Sequence, residues 1–104
     1  MDDHQRQMWC RMLDEIVDFQ HGRKELDRLI SDLRGLFVEA DPHDPEVREV
    51  FEAKWAPIDG EHELRTESWA PKGAASEVRL SRLIEEFRYW VVTLIAADVG
   101  HEHR

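Results

Sequence analysis

The sequence predicts an all-α fold, an antiparallel four-helix bundle with a Pro-kinked third helix. Apolar residues recur at three- and four-residue steps in four separate segments, as they do in helices with one buried face. No segment shows the strict alternation of apolar and polar residues that is typical of a half-buried strand. The connections between the stripes are short, which favours antiparallel neighbours. We therefore expect a helical content above about 60%.

The first stripe predicts a helix from about Asp3 to Gln20. Asp2 or Asp3 is a suitable N-cap, and Gly22 lies where the helix is expected to end. Cys10 is predicted to lie on or near the stripe as a small buried hydrophobe. The stripe consists of Met8, Trp9, Met12, Leu13, Ile16, Val17 and Phe19.

A second helix is predicted from about Arg23 to Val38. Gly35 weakens its last turn by about 1 kcal/mol relative to Ala, and we interpret it as a point of close contact between helices. The apolar residues of this stripe are Leu26, Leu29, Ile30, Leu33, Leu36 and Phe37.

The third helix is predicted from the segment "DPHDPEVREVFEAKW", residues 41–55, which contains five acidic residues. Asp44 is a suitable N-cap, Pro45 fits the first helical position, and Glu46 faces the positive end of the helix dipole. Pro57 is expected to kink or end the helix near residue 56, with a short helix resuming over 58–66. The pattern separates an apolar face (Val47, Val50, Phe51, Trp55) from an acidic face (Glu46, Glu49, Glu52).

The last helix follows a loop with the sequence "TESWAPKGAA", residues 66–75, and Ser76 is its predicted N-cap. We expect this helix to lie centrally and to contact most of its neighbours, with residues 99–104 as a frayed tail. Its stripe comprises Leu80, Leu83, Ile84, Phe87, Trp90, Val91, Leu94 and Ile95, and we expect Val92, Ala96 and Ala97 to widen it.

Length and composition indicate one folded domain, residues 1–104. The chain is 41% hydrophobic and 36% charged, with four Trp and four Phe, which is too apolar for a disordered chain. A single cysteine cannot form an internal disulfide, and the polar, acidic start differs from a secretory signal. The longest apolar run, "YWVVTLIAA", is too short to span a membrane. We expect a cytoplasmic protein.

The net charge of −9 is unevenly distributed along the chain. Residues 1–38 hold eight acids and six bases, residues 39–67 ten acids and three bases (−7), and residues 68–104 five of each. Phosphates would be repelled by such a protein, so we expect it to bind neither nucleic acid nor an anionic membrane. The charge favours a basic protein as partner.

The sequence contains no motif for catalysis, metal binding or a cofactor. No Glu-x-x-His pair occurs within the predicted helices, and the six histidines lack the spacing of a metal site. There is no Gly-x-Ser-x-Gly, no phosphate-binding glycine loop and no Cys-x-x-Cys. We expect no enzyme activity, no cofactor and no metal.

The four tryptophans divide into two groups. Trp9, Trp55 and Trp90 fall on apolar stripes and are predicted core residues. Trp69 lies in the loop between the third and fourth helices, where two interpretations remain open. It either covers the core from the loop or is exposed as an anchor for a partner.

The first three helices carry a resemblance to a protein family. The run "IVDFQHGRKELDRLISDLRGLF" followed by "VREVFEAKW" resembles the helical immunity proteins of bacterial toxin systems, including the colicin-type group. The resemblance covers about residues 13–55, whereas Pro57 and the loop "WAPKG" differ from the pattern. The matching residues are Phe19, Gly22, Leu26, Leu29, Ile30, Asp32, Leu33, Leu36, Phe51 and Trp55.

The resemblance and the charge together favour an immunity-type protein that neutralises a basic bacterial toxin, such as a nuclease, by covering its active site with carboxylates. The alternative is a structural or adaptor bundle that forms a homodimer through the fourth helix, with acidity serving solubility. A third hypothesis is an inhibitor that mimics nucleic acid. The predicted partner-binding residues are Glu46, Glu49, Glu52, Asp59, Glu61, Glu63 and Trp69.

Overall fold

A computed structural model describes residues 1–71 and 73–102, with only the backbone described for 99–102. It contains four helices and is 79% helical, with no strand in the described residues, which confirms the all-α prediction. The helices are α1 (Asp3–Gln20), α2 (Leu26–Ala40), α3 (Pro45–Thr66) and α4 (Glu77–Glu102).

The helix starts and stops follow local capping chemistry. The Asp2 carboxylate accepts from the Gln5 N–H at 2.8 Å, and the Gln5 side chain accepts from the Asp2 N–H at 3.2 Å, which forms a capping box. Gly22, with φ +76°, follows α1 in the left-handed conformation that glycine favours. The Ser76 hydroxyl accepts from the Arg79 N–H at 3.1 Å, which confirms it as a cap of α4. Three of the predicted helix ends are therefore set locally.

Neighbouring helices are antiparallel and pack in a ring, in which α1 contacts α2 and α4, and α3 contacts α2 and α4. Within the described residues α4 packs against α1 and α3 but not against α2. It therefore contacts most of the other helices, as predicted, but it is no more central than they are. Its final turn extends to Glu102, past the predicted start of the tail, and residues 103 and 104 lie outside the described residues. Four contacts show the antiparallel order: Gln5 with Ala40, Trp55 with Ile30, Arg65 with Glu77, and Arg6 with Asp98.

An aromatic chain crosses the core and connects all four helices. Phe37 of α2 stacks on Phe51 of α3 with centroids 3.9 Å apart, and Phe51 meets Phe87 of α4 edge-on at 5.6 Å. Phe87 contacts Trp90 at 5.9 Å, and Trp90 contacts Trp9 of α1 at 5.5 Å. Edge-to-face pairs add stability beyond the area that they bury. Trp9, Phe51 and Phe87 are buried in the core, as predicted, whereas Phe37 and Trp90 are half-buried at its edge.

The third helix does not end at Pro57 but runs without interruption to Thr66. Proline removes one N–H and frees the carbonyl of Ala53, four residues earlier. Pro57 and Ala53 are both exposed, so that water can bind the freed carbonyl. Phe51 and Ile58, on either side of the proline, are fully buried and hold the helix against the core. The predicted end of the helix near residue 56 is therefore wrong, whereas the alternative, a kink at Pro57, stays a prediction.

Three other expectations about packing are also wrong. An added Cβ on Gly35 would meet nothing within 4 Å, so this glycine is not a close helix contact. Cys10 is exposed and is not part of the core. Val92, Ala96 and Ala97 are exposed, so they do not widen the buried stripe of α4.

Candidate functional site

The side of α3 that is turned away from the core forms one continuous exposed surface. Helical geometry places these residues opposite the buried Phe51 and Ile58, and from Glu46 to Glu63 they extend over about 26 Å. We call this surface the outer face of α3. It consists of Glu46, Glu49, Glu52, Ala53, Ala56 and Glu63, all of them exposed.

Three of the four carboxylates on the outer face form no ion pair with the described residues. Among the described residues, no basic side chain lies within ion-pair distance of Glu46, Glu49 or Glu63. Glu52 differs because it pairs with Arg34 of α2. The alanines between them add no charge and little bulk, so the face presents almost only negative charge to solvent.

The basic side chains of residues 39–67 are directed elsewhere, which explains why the outer face keeps its charge. Arg48 pairs with Asp41 at 3.0 Å, and Arg65 pairs with Glu77 of α4 at 2.7 Å. Lys54 lines a groove between α3 and α4. None of these three cations lies on the outer face, so the four carboxylates of this face are not offset by a base from their own region.

Arg34 is the one described cation that pairs with the outer face, and its position is fixed by packing. Its guanidinium lies 4.5 Å from the centroid of the Trp55 ring, a cation–π contact, while it pairs with Glu52. The Trp55 indole in turn donates to the Ile30 carbonyl at 3.0 Å. The sequence analysis missed Arg34, because a cation on α2 opposite α3 is visible only once the two helices are paired.

Glu61 lies in the protein interior and not on a surface, with 2% exposure. Its carboxylate accepts from Arg79 and from the Ser76 N–H at 3.2 Å. Burial alone would raise the pKa of Glu61, but these hydrogen bonds outweigh burial and hold the pKa below its usual range. Its carboxylate is occupied within the chain, so we leave Glu61 out of the candidate surface. Asp59 is half-buried.

Trp69 is exposed in the loop after α3, which favours the second of its two interpretations. Its exposed fraction is 65%, large for a tryptophan. The Ala70 N–H donates to the Glu67 carbonyl at 3.3 Å, so a turn places Trp69 close behind the last residues of α3. The candidate site thus joins an acidic helix face to an exposed aromatic side chain near one end.

Comparison with protein-family models, curated protein sequences and solved structures gives no match. Nothing therefore bears on the resemblance to immunity proteins, which stays a prediction. No helix in the described part of the chain has the length and apolar character needed to cross a membrane. The described side chains also include no group of three or more His, Cys, Asp or Glu residues arranged around a metal ion, and the side chains of His101 and His103 lie outside them.

Proposed function

We propose that this protein acts by binding, without catalysis, and that its partner is a basic protein that docks on the outer face of α3. The observation that carries the proposal is the set of exposed carboxylates at Glu46, Glu49 and Glu63, none of which forms an ion pair with a described basic side chain. Like charges on one face repel each other, and a cationic surface relieves that repulsion. Such a face also accelerates encounter with a basic partner.

The resemblance to immunity proteins narrows the proposed partner to a basic bacterial toxin, such as a nuclease. A nuclease active site is lined with cations that bind phosphates, and a row of carboxylates can occupy the same cations. Arg or Lys side chains desolvated against these carboxylates each contribute up to several kcal/mol. Trp69 provides an aromatic anchor of the type that dominates protein interfaces.

A charge-reversal variant tests the proposal, with a basic toxin nuclease as the probe. Replacing Glu46, Glu49 and Glu63 with Lys keeps the fold, because these side chains are exposed. Losing Glu46 removes a favourable contact with the helix dipole, and losing Glu63 near the other end relieves an unfavourable one. The rate of association with the toxin, measured by stopped flow, should fall at least tenfold. This change corresponds to about 1.4 kcal/mol in activation free energy.

The matched control reverses Asp14, Glu25 and Asp27, which are exposed acids on α1 and at the start of α2. This control changes the net charge by the same amount as the test variant. It includes Asp27, which lies in the first turn of a helix, as Glu46 does. The control should associate nearly as fast as the wild type, and the wild-type rate should fall as salt rises. Equal slowing by both variants would show that only total charge matters and would overturn the proposed docking face.

A further inference from the structure

A second exposed stripe runs along α4, on the side opposite to its buried residues. Its members follow one another at alternating steps of four and three, the spacing of residues that form a seam between two helices. We call it the α4 stripe. It consists of Val78, Arg82, Glu85, Tyr89, Val92 and Ala96, all exposed.

The α4 stripe is rich in exposed apolar side chains. Val78, Tyr89 and Val92 are 69%, 71% and 42% exposed. They are three of the six large hydrophobic side chains that are exposed among the described residues. A groove of about 560 Å³ between α3 and α4 shares Arg82, Glu85 and Tyr89 with the stripe. The stripe and the groove form one continuous surface onto which a helix can pack.

The charges of the α4 stripe are complementary to a second copy of themselves. No acidic side chain among the described residues lies within ion-pair distance of Arg82. Glu85, three positions later, pairs with Arg88 of the same helix at 3.2 Å and accepts from the Gln20 side chain of α1 at 2.9 Å, and it is exposed. A two-fold axis between these residues, with two antiparallel α4 helices, places Arg82 of each copy opposite Glu85 of the other. The same operation places Val78 opposite Tyr89, so an apolar contact flanks each ion pair.

The distribution of charge indicates that the occupant is a second copy and not a basic protein. α4 holds five acids and three bases, and its stripe holds one of each, Glu85 and Arg82, so two stripes can face each other without net charge. The outer face of α3 belongs to a region of net charge −7 and would repel its own copy. We propose that the α4 stripe is a self-association surface through which two copies of this chain pair in antiparallel orientation. This proposal does not depend on the partner proposed for α3.

Sedimentation equilibrium on the full chain over a concentration series tests this pairing. The mass of the wild type should rise from 12.3 kDa towards twice that value. Arg82→Glu and Glu85→Arg should each raise the dissociation constant at least tenfold, about 1.4 kcal/mol, because each creates two like-charge contacts across the axis. The double variant Arg82→Glu/Glu85→Arg restores opposite charges across the axis and should recover dimerisation.

Two controls separate this interface from other effects. Arg28→Glu makes the same change of charge at an exposed position on α2, and it should leave the dissociation constant unchanged. Reducing buffer prevents disulfide formation by the exposed Cys10, and circular dichroism verifies that each variant is folded. A wild type that stays monomeric up to about 1 mM overturns the proposal. The proposal is also overturned if the single reversals leave the dissociation constant unchanged, or if the double variant fails to restore dimerisation.

Discussion

The outer face of α3 and the α4 stripe are exposed surfaces of two helices that share one core, but their chemistry differs. The rings of Phe51 and Phe87 join the two helices beneath these surfaces, with centroids 5.6 Å apart. The outer face of α3 is acidic and lacks large apolar side chains, whereas the α4 stripe is apolar with one charge of each sign. We therefore propose different partners for the two surfaces, a cationic protein for the outer face of α3 and a copy of the chain for the α4 stripe.

The positions of the cations cause this difference more than the number of acids does. Arg48 and Arg65 lie in the acidic third of the chain, but they pair with residues away from the outer face of α3. On the α4 stripe, Arg82 lies on the same face as Glu85. Surface charge is therefore set by where each basic side chain is directed, which the sequence alone does not state.

The largest expected effect comes from breaking the core beneath both surfaces. Phe87→Ala should lower the free energy of unfolding by about 3–5 kcal/mol, because the ring is fully buried and contacts Phe51 and Trp90. Tyr89→Ala, two positions along α4 and 71% exposed, should cost less than about 1 kcal/mol when the protein is monomeric. Urea denaturation at low protein concentration measures both. Similar midpoints for the two variants would contradict the assignment of buried and exposed sides of α4.

A smaller change in the free energy of unfolding is expected when either of two glutamates of α3, one buried and one exposed, is replaced by alanine. Glu61→Ala should cost about 1–3 kcal/mol, because it leaves the Ser76 N–H and Arg79 without their acceptor, although Arg79 is half exposed. Glu49→Ala should change stability by less than about 0.5 kcal/mol. Urea denaturation at pH 7 gives both values, and equal values would show that Glu61 does not hold α3 to the start of α4.

The pH dependence of Glu61→Gln gives an independent check on the same carboxylate. The pKa of Glu61 lies below its ordinary value of 4.5 in the folded protein, despite burial, because Arg79 and the Ser76 N–H bind the charged form. Its stabilising contribution is therefore complete above pH 4.5 and is lost as the pH falls through the lower folded pKa. The difference in unfolding free energy between wild type and Glu61→Gln should shrink over that range. A difference that stays constant would contradict the charged form as the stabilising one.

Most of the fold was predictable because its signals are local. Asp44 caps α3 by accepting from the Glu46 N–H at 2.9 Å, and Ser76 caps α4, as the sequence indicated. The continuation of α3 through Pro57 was not predictable from local rules, because it depends on the burial of Ile58 by other helices. Tertiary packing outweighed the cost of a proline within a helix.

Because α3 was expected to be interrupted at Pro57, the buried position of Glu61 was not predicted. In an uninterrupted helix Glu61 lies one turn after the buried Ile58, on the side of the core, so extending the helical pattern past Pro57 would have separated it from Glu49. Its partner Arg79 is 18 residues away in the chain, and no local pattern predicts that pair. For Glu46 and Glu49, exposure was predictable from the helical period alone.

Trp69→Ala should have a small effect on stability. It should also separate the contribution of the aromatic anchor to binding from that of the acidic residues. Because 65% of this side chain is exposed, its removal should change the free energy of unfolding by less than about 0.5 kcal/mol. Trp9→Ala, at a site with 1% exposure, is the matched control and should cost about 3–5 kcal/mol.

Binding kinetics then separate the two parts of the proposed surface. An aromatic anchor contributes after encounter, so Trp69→Ala should raise the dissociation rate of the basic partner by about 30-fold, equivalent to 2 kcal/mol, and leave the association rate nearly unchanged. Reversing Glu46, Glu49 and Glu63 should act mainly on the association rate. If Trp69→Ala leaves both rates unchanged, the loop after α3 is not part of the interface and the outer face of α3 alone holds the partner. If it unfolds the protein, the side chain is anchored in the fold and is not available to any partner.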